Sequence, residues 1–142
     1  MTAVPAAGTV LGPTDWVEID QARIDAFATA TDDHQWIHVD AERAAAGPFG
    51  TTIAHGYLTL ALLPAFLSQV FRPDASLTLN YGVNRVRFTA PVPVGSRLRA
   101  RFEVLSSDER SGGVQLVLEV TVEIEGAEKP ACVAEAVYRL VP

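Results

Sequence analysis

The sequence predicts an α+β fold, with one long, mostly antiparallel sheet curled around a buried central helix. Three observations carry this. From about Ile53 to Val70 the residues are apolar almost all round, and a helix without a polar face is one the protein itself must cover. The C-terminal half then reads as four strands, Leu77 to Ala90, Ser96 to Leu105, Val114 to Gly126 and Ala131 to Val141, because apolar and polar residues alternate along them. Short connections between consecutive strands favour antiparallel pairing.

Each element has its own local reason. Residues Met1 to Pro13 are rich in Ala, Gly, Pro and Thr without periodicity, and read as an irregular N-terminal arm. Trp16, Val17 and Ile19 suggest a short strand. Asp20 is placed to cap a helix from Gln21 to about Ala30, in which Ile24, Phe27, Ala28 and Thr31 fall on one side. Thr31 to Val39 is polar, ends that periodicity and reads as a loop. Asp40 can cap a second short helix over Ala41 to Ala46, and Gly47-Pro48-Phe49-Gly50 then breaks the chain. Pro64 lies within the apolar run, where it kinks a helix or marks a junction. In the strands, Leu98, Ala100, Phe102 and Val104 face one way and Arg97, Arg99, Arg101 and Glu103 the other. Val114, Leu116, Leu118, Val120, Val122 and Ile124 form the clearest alternation. Ser111-Gly112-Gly113 and Gly126 supply turns. A sheet wrapped around one helix is the hot-dog fold, and residues 1–142 read as a single domain of that kind.

Composition narrows the function classes. A chain of 142 residues buries roughly 70% of the surface its unfolded form exposes, so it needs no disulfide or metal to hold its core. Cys132 is the one cysteine and sits in an apolar alternation, where buried filler is the plain reading. The N-terminus lacks a secretion signal and no apolar run is long enough to span a bilayer, so a cytoplasmic protein is expected. A net charge of −6 speaks against general nucleic-acid binding, although a local arginine group can still hold a phosphate.

The densest polar cluster is Thr31-Asp32-Asp33-His34-Gln35-Trp36-Ile37-His38-Val39-Asp40, and Ala54-His55-Gly56-Tyr57 opens the apolar run. Taken alone, Asp33 with His38 is also what a solvated loop contains. The order of Asp33, His38 and an Ala-His-Gly before an apolar helix resembles the MaoC-like (R)-specific enoyl-CoA hydratases. Asp33 through Asp40, Gly50-Thr51-Thr52-Ile53-Ala54-His55-Gly56, and Asn84-Arg85-Val86-Arg87-Phe88 followed by Pro91-Val92-Pro93-Val94-Gly95 resemble the nodulation protein N-like branch of that family. The resemblance covers roughly Asp15 to Phe102. It implies a trans-2-enoyl-CoA substrate, a (3R)-hydroxy product, Asp33 and His38 as catalytic pair and a homodimer with active sites near the subunit interface. It implies no cofactor beyond the coenzyme A of the substrate.

Two departures stand out. Gln35 and Trp36 replace the Asn-Pro that better-studied hydratases carry between the catalytic Asp and His. Pro64 stands near where those enzymes have a serine, leaving Thr59 or Tyr57 as candidate substitutes.

The chemistry suits these residues. Water adds to a conjugated C=C when a base removes its proton, the α-carbon receives one, and the enolate-like thioester oxygen is stabilised. Asp33 can be the base, provided partial burial beside the apolar helix raises an otherwise low carboxylate pKa. His38 can hold the same water. Gly56, at the start of the helix, can offer backbone N–H groups and the positive dipole end to the thioester oxygen. His55, Gln35 and Tyr57 are supporting candidates, His55 as a holder of the Asp33 loop. Arg85, Arg87, Arg97, Arg99 and Arg101 are candidates for the coenzyme A phosphates, or else a solvated sheet face with glutamate partners. The histidines and aspartates match no zinc spacing, and no metal is expected. A thioesterase and a non-catalytic acyl-thioester binder share the fold class and stay open as alternatives.

Overall fold

The computed structural model describes residues 4–142; residues 1–3 of the expected arm lie outside the described residues. Two short strands, β1 (Val10–Leu11) and β2 (Val17–Glu18), precede helix α1 (Gln21–Thr31). Two short helices follow, α2 (Trp36–Val39) and α3 (Ala41–Ala45). The apolar run forms α4 (Gly56–Ala61) and α5 (Leu63–Val70), and four long strands close the chain: β3 (Leu77–Arg87), β4 (Arg97–Arg110), β5 (Gly113–Ile124) and β6 (Cys132–Val141).

The caps act as the sequence predicts. The Asp20 carboxylate accepts the backbone N–H of Arg23 at 2.8 Å, and Asp40 accepts that of Arg43 at 3.0 Å. At its other end α1 stops on Asp32, whose φ of 60° is left-handed. Aspartate tolerates that conformation better than most residues. The turn swings the chain toward α2, so the segment read as a loop ends in a helical turn at Trp36–Val39. Within the arm, β1 pairs with β4 through Val10 opposite Glu103 and Leu11 opposite Phe102.

The apolar run starts its helix later than expected, and Pro64 marks a junction as the sequence indicated. Its helix begins at Gly56, because Ile53 bridges Pro93 in extended form, and it breaks at Leu62. Pro64 then occupies the first turn of α5, where its missing N–H costs nothing. Nor is the helix covered all round. Leu58, Leu63, Phe66 and Leu67 are buried against Leu98, Phe102, Leu116 and Val120 of the sheet, whereas Tyr57, Ala61, Pro64 and Ala65 are exposed. A single sheet curls round one side of a helix and leaves the other to something else.

The sheet has six strands in the order β1-β4-β5-β6-β3, with β2 also on β4. All pairings are antiparallel, and the architecture is the α+β hot-dog fold. The alternation set the faces correctly: Leu98, Ala100, Phe102 and Val104 of β4 and Leu116, Leu118, Val120 and Val122 of β5 are buried. Adjacency is another matter. β3 does not pair with the next strand, β4, but with β6 at the far edge. The link from Phe88 to Ser96 therefore crosses the open end of the sheet, with Pro91 and Pro93 unable to donate to any ladder. That crossing lays Phe88 and Val92 against the start of α4.

Candidate active site

Two segments remote in sequence meet at the start of α4. The first is the α1–α2 corner. Asp33 follows the left-handed Asp32, and its Oδ1 accepts the Gln35 N–H at 3.4 Å. Gln35 caps α2 by its backbone, its carbonyl accepting the His38 N–H at 3.0 Å. His38 closes that helical turn and points inward, 6% exposed. The second segment is Thr52 to Gly56. The Ile53 N–H donates to the Ile37 carbonyl at 3.0 Å, and the His38 ring answers in the other direction: Nδ1 donates to the Ile53 carbonyl at 2.7 Å.

That bond fixes the chemistry of His38. A carbonyl only accepts, so Nδ1 carries the hydrogen and the neutral ring presents Nε2 as a lone pair. Burial pushes the imidazole below its ordinary value of 6.5, against the opposing pull of the Ile53 carbonyl; the neighbouring His55 lowers it further and Asp33 raises it. At neutral pH the ring is uncharged and an acceptor.

His55 lies beneath it. The two imidazoles stack at 3.9 Å between centroids and 22° between planes, and Phe27 closes the other side at 4.9 Å. His55 Nε2 donates to the Asp33 backbone carbonyl at 3.0 Å, so the ring holds the Asp33 loop to the helix start. Its Nδ1 is buried without a hydrogen-bond partner among the described residues.

One carboxylate oxygen of Asp33 and one ring nitrogen from each of His38 and His55 lie within 4.8 Å of one another. A single water, bonded at about 2.8 Å to each side, spans such a gap. The same trio could contribute ligands to a metal ion. The near-parallel stack, however, sets the two nitrogens side by side instead of aiming them at one point, which is not what tetrahedral coordination requires.

Beside the trio runs a cavity of about 280 Å³, lined by His38, Phe49, Ala54, Gly56, Thr59 and Phe88 among others. It is predominantly apolar and begins where α4 begins, so the unpaired N–H groups of the helix start sit at its wall. Phe88 lies flat against Gly56: a Cβ there would come within 2.7 Å of the ring.

The remaining sequence candidates fall in several places. Asp33 is exposed and is not part of the cavity lining, a correction to the expected partial burial beside the apolar helix: it sits on the α1–α2 corner, directly after the left-handed Asp32. Tyr57 is 69% exposed and meets the Phe88 ring edge-on at 5.9 Å; it does not line the cavity. Thr59 is buried and does. Pro64 lines a separate apolar cavity of about 340 Å³ with Leu60, Ala61, Asn80 and Tyr138.

Arg97 and Arg99 pair with Glu125 at 2.9 Å and Glu123 at 2.6 Å and lie over Trp16, away from the His38 cavity. Arg85 lines a small hollow with Glu119 and Glu135. Arg101 is exposed on the same sheet face as Arg97 and Arg99. Arg87, immediately before Phe88, donates to the Val86 carbonyl at 2.7 Å. Sequence reasoning missed Phe49 and Phe88 at the cavity and Gln21 and Thr52 behind it. The aromatic beside Arg87 was a usable signal; the polar pair carried none.

Comparison with known proteins identifies the family of the chain. Residues 3–127 match the model of the MaoC like domain. The 3-hydroxyacyl-thioester dehydratase Z of Mycobacterium tuberculosis is 56% identical over 138 residues, covering 96% of this chain and 91% of that protein. The Nodulation protein N of Rhizobium leguminosarum bv. viciae is 52% identical over 132 residues, 89% of this chain and 81% of that one. Among solved structures, the (R)-hydratase from A. caviae involved in PHA biosynthesis superposes with a TM-score of 0.80 at 25% identity, covering 99% of each chain. The unliganded R-hydratase from Pseudomonas aeruginosa gives 0.76 at 28%, over 96% of this chain and 83% of that one.

Proposed function

The chain belongs to the MaoC-like dehydratase family, and from that membership we propose that it catalyses the reversible, (R)-specific hydration of a trans-2-enoyl-CoA to the (3R)-3-hydroxyacyl-CoA. The carrying observation is the Asp33 carboxylate set within 4.8 Å of a histidine pair, one of which, His38, lines a mostly apolar cavity that starts at a helix N-terminus.

In the proposed reaction the thioester enters along α4 with its carbonyl oxygen at the helix start. One water sits between Asp33 and His38 Nε2, each accepting one of its hydrogens. As the oxygen bonds to the β-carbon, its O–H electrons remain on oxygen and the proton passes to Asp33. The C=C pair shifts into the bond between the α-carbon and the carbonyl carbon, and the carbonyl π pair moves onto the thioester oxygen, where the N–H groups at Gly56 receive the charge. Collapse of that enolate takes a proton from the same pair onto the α-carbon. Because one pair delivers both H and OH, both reach the same face. No metal or other cofactor enters; coenzyme A belongs to the substrate. Of the arginines, Arg87 is the one adjacent to the cavity wall, and we assign phosphate contact to it and to Arg85 in preference to the paired Arg97 and Arg99.

A second copy of the chain is the proposed partner. β3 is an edge strand, and its Leu77, Leu79, Tyr81 and Val83 are all at least 44% exposed, an edge that proteins rarely leave bare.

The test follows loss of the conjugated thioester absorbance of crotonyl-CoA and of longer enoyl-CoAs. Asp33→Asn keeps the size of the side chain and removes the base. A fall in kcat of about 10²–10⁴-fold is expected, with unchanged melting because Asp33 is exposed. A near-normal rate for this variant refutes the assignment. Release of free thiol in its place would mark a thioesterase.

A further inference from the structure

We propose that Gln21 is a positioning residue for His38, setting the imidazole through a saturated side-chain amide that ties together the two segments carrying it. Gln21 opens α1, far in sequence from either. Its Nε2 donates to the His38 backbone carbonyl at 2.8 Å and to Asp25 Oδ1 at 2.9 Å. Its Oε1 accepts the Thr52 hydroxyl at 2.6 Å. The orientation of the amide is settled by the partners, since a carbonyl accepts only and the nitrogen must face it. Both hydrogens of the amide are used and its oxygen is occupied, so the group has one arrangement.

The two anchors matter because of what stands next to them. The His38 carbonyl belongs to the residue whose ring meets the water. Thr52, 2% exposed, immediately precedes Ile53, whose carbonyl holds Nδ1–H. Gln21 thus fixes both the backbone that carries the imidazole and the strand that selects its tautomer. Without it, the Ile37–Ile53 backbone bond and the His38 ring's own bond to the Ile53 carbonyl would be left to set the spacing between these segments. A displacement of about 1 Å at a reacting group can reduce turnover about 10²-fold. Gln21 is not part of the cavity lining, so its effect passes through His38 and the Thr52–Ile53 segment that holds the ring.

This inference rests on the proposed role of His38, and the experiment separates the two. In Gln21→Ala, kcat should fall about 10–100-fold with KM within about twofold, since the cavity is unchanged. Thr52→Val should reproduce the loss, Thr52→Ser should restore it, and Gln21→Ala with Thr52→Val should be no worse than either alone, as one network requires. Nitrogen-resolved NMR of the His38 ring, taken without substrate, should show a single Nδ1-protonated form in the parent and a mixture in Gln21→Ala. That signal reads the positioning whatever reaction the chain performs. Should Gln21→Ala fail to fold, the Thr52 pair carries the same comparison. The inference is overturned if kcat and the ring signal of Gln21→Ala match the parent in a preparation where Asp33→Asn is inactive, or if Thr52→Ser and Thr52→Val behave alike.

Discussion

Replacing Gly56 by alanine separates the stability of this fold from its chemistry. The new Cβ would lie 2.7, 2.9 and 3.0 Å from Cδ2, Cε2 and Cγ of Phe88, closer than carbon atoms approach, so the ring must move. It can: Phe88 is 44% exposed, and the Tyr57 ring that it meets edge-on is 69% exposed. Swinging it off its rotamer costs about 0.5–1.5 kcal/mol. Alanine gains up to about 1 kcal/mol over glycine as a helix former. The two nearly cancel, and the melting temperature should move by less than about 4 °C.

Activity should not survive so well. The displaced ring and the methyl group both occupy the space through which the thioester reaches the N–H groups at the start of α4. Loss of one oxyanion donor is worth about 2.7–4 kcal/mol, which at 1.36 kcal/mol per decade is about 10²–10³ in kcat. The assay is crotonyl-CoA hydration beside a thermal melt. Adding Phe88→Ala to Gly56→Ala removes the ring and should recover most of the loss, a coupling that distant sites do not show. A Gly56→Ala protein with parental kcat, or one whose activity falls only in step with its folded fraction, would refute the reasoning.

Two further outcomes follow from the same geometry. Because burial lowers the His38 pKa from 6.5, the unfolded chain binds more protons than the folded one between that depressed value and 6.5. The stabilisation is therefore complete above pH 6.5 and is lost as pH falls through the folded value. Urea midpoints measured across this window should decline with acid in the parent and more weakly in His38→Gln; parallel declines would contradict the buried neutral ring. On β3, Leu79→Glu with Tyr81→Glu places charge on the exposed edge. Sedimentation should show monomers where the parent is dimeric, and an unchanged mass would remove β3 from the proposed interface.

The sequence displays most of the local structure and little of the pairing. Asp20 and Asp40 are recognisable caps because a short carboxylate before an apolar-periodic stretch has few other uses. The β4 and β5 faces follow from period-two alternation, which encodes the face of a strand and nothing about its neighbour. For that reason β3 was expected beside β4, while the folded chain carries it to β6. The break at Leu62 was foreshadowed by Pro64, but the exposed side of the helix was not, since an apolar run looks the same whether one sheet or two partners cover it. Asp33, His38 and Gly56 were legible through a string of neighbours. Their geometry was not: the αL turn at Asp32 is a single-residue event, and the Gln21 bridge spans 17 residues to His38 and 31 to Thr52, with no periodic trace.

His55 shows why the site takes this form. Its Nδ1 is buried without a partner among the described residues, and an unsatisfied buried polar atom costs about 1–3 kcal/mol. Rotating the ring to satisfy it would break the bond to the Asp33 carbonyl and undo the stack on His38. The fold therefore accepts a local penalty to hold two things in place at once, the loop that presents the carboxylate and the flat surface against which the second imidazole rests. Local inconsistencies of this kind concentrate where function, rather than stability, dictates the arrangement. The two sides of the site are held differently: the His38 ring is buried and bonded to the Ile53 carbonyl, whereas the Asp33 side chain is exposed, its backbone tied to His55 and its Oδ1 to the Gln35 N–H. One buried partner and one exposed partner suit the proposed reaction, in which a water has to reach the pair from solvent at every turnover.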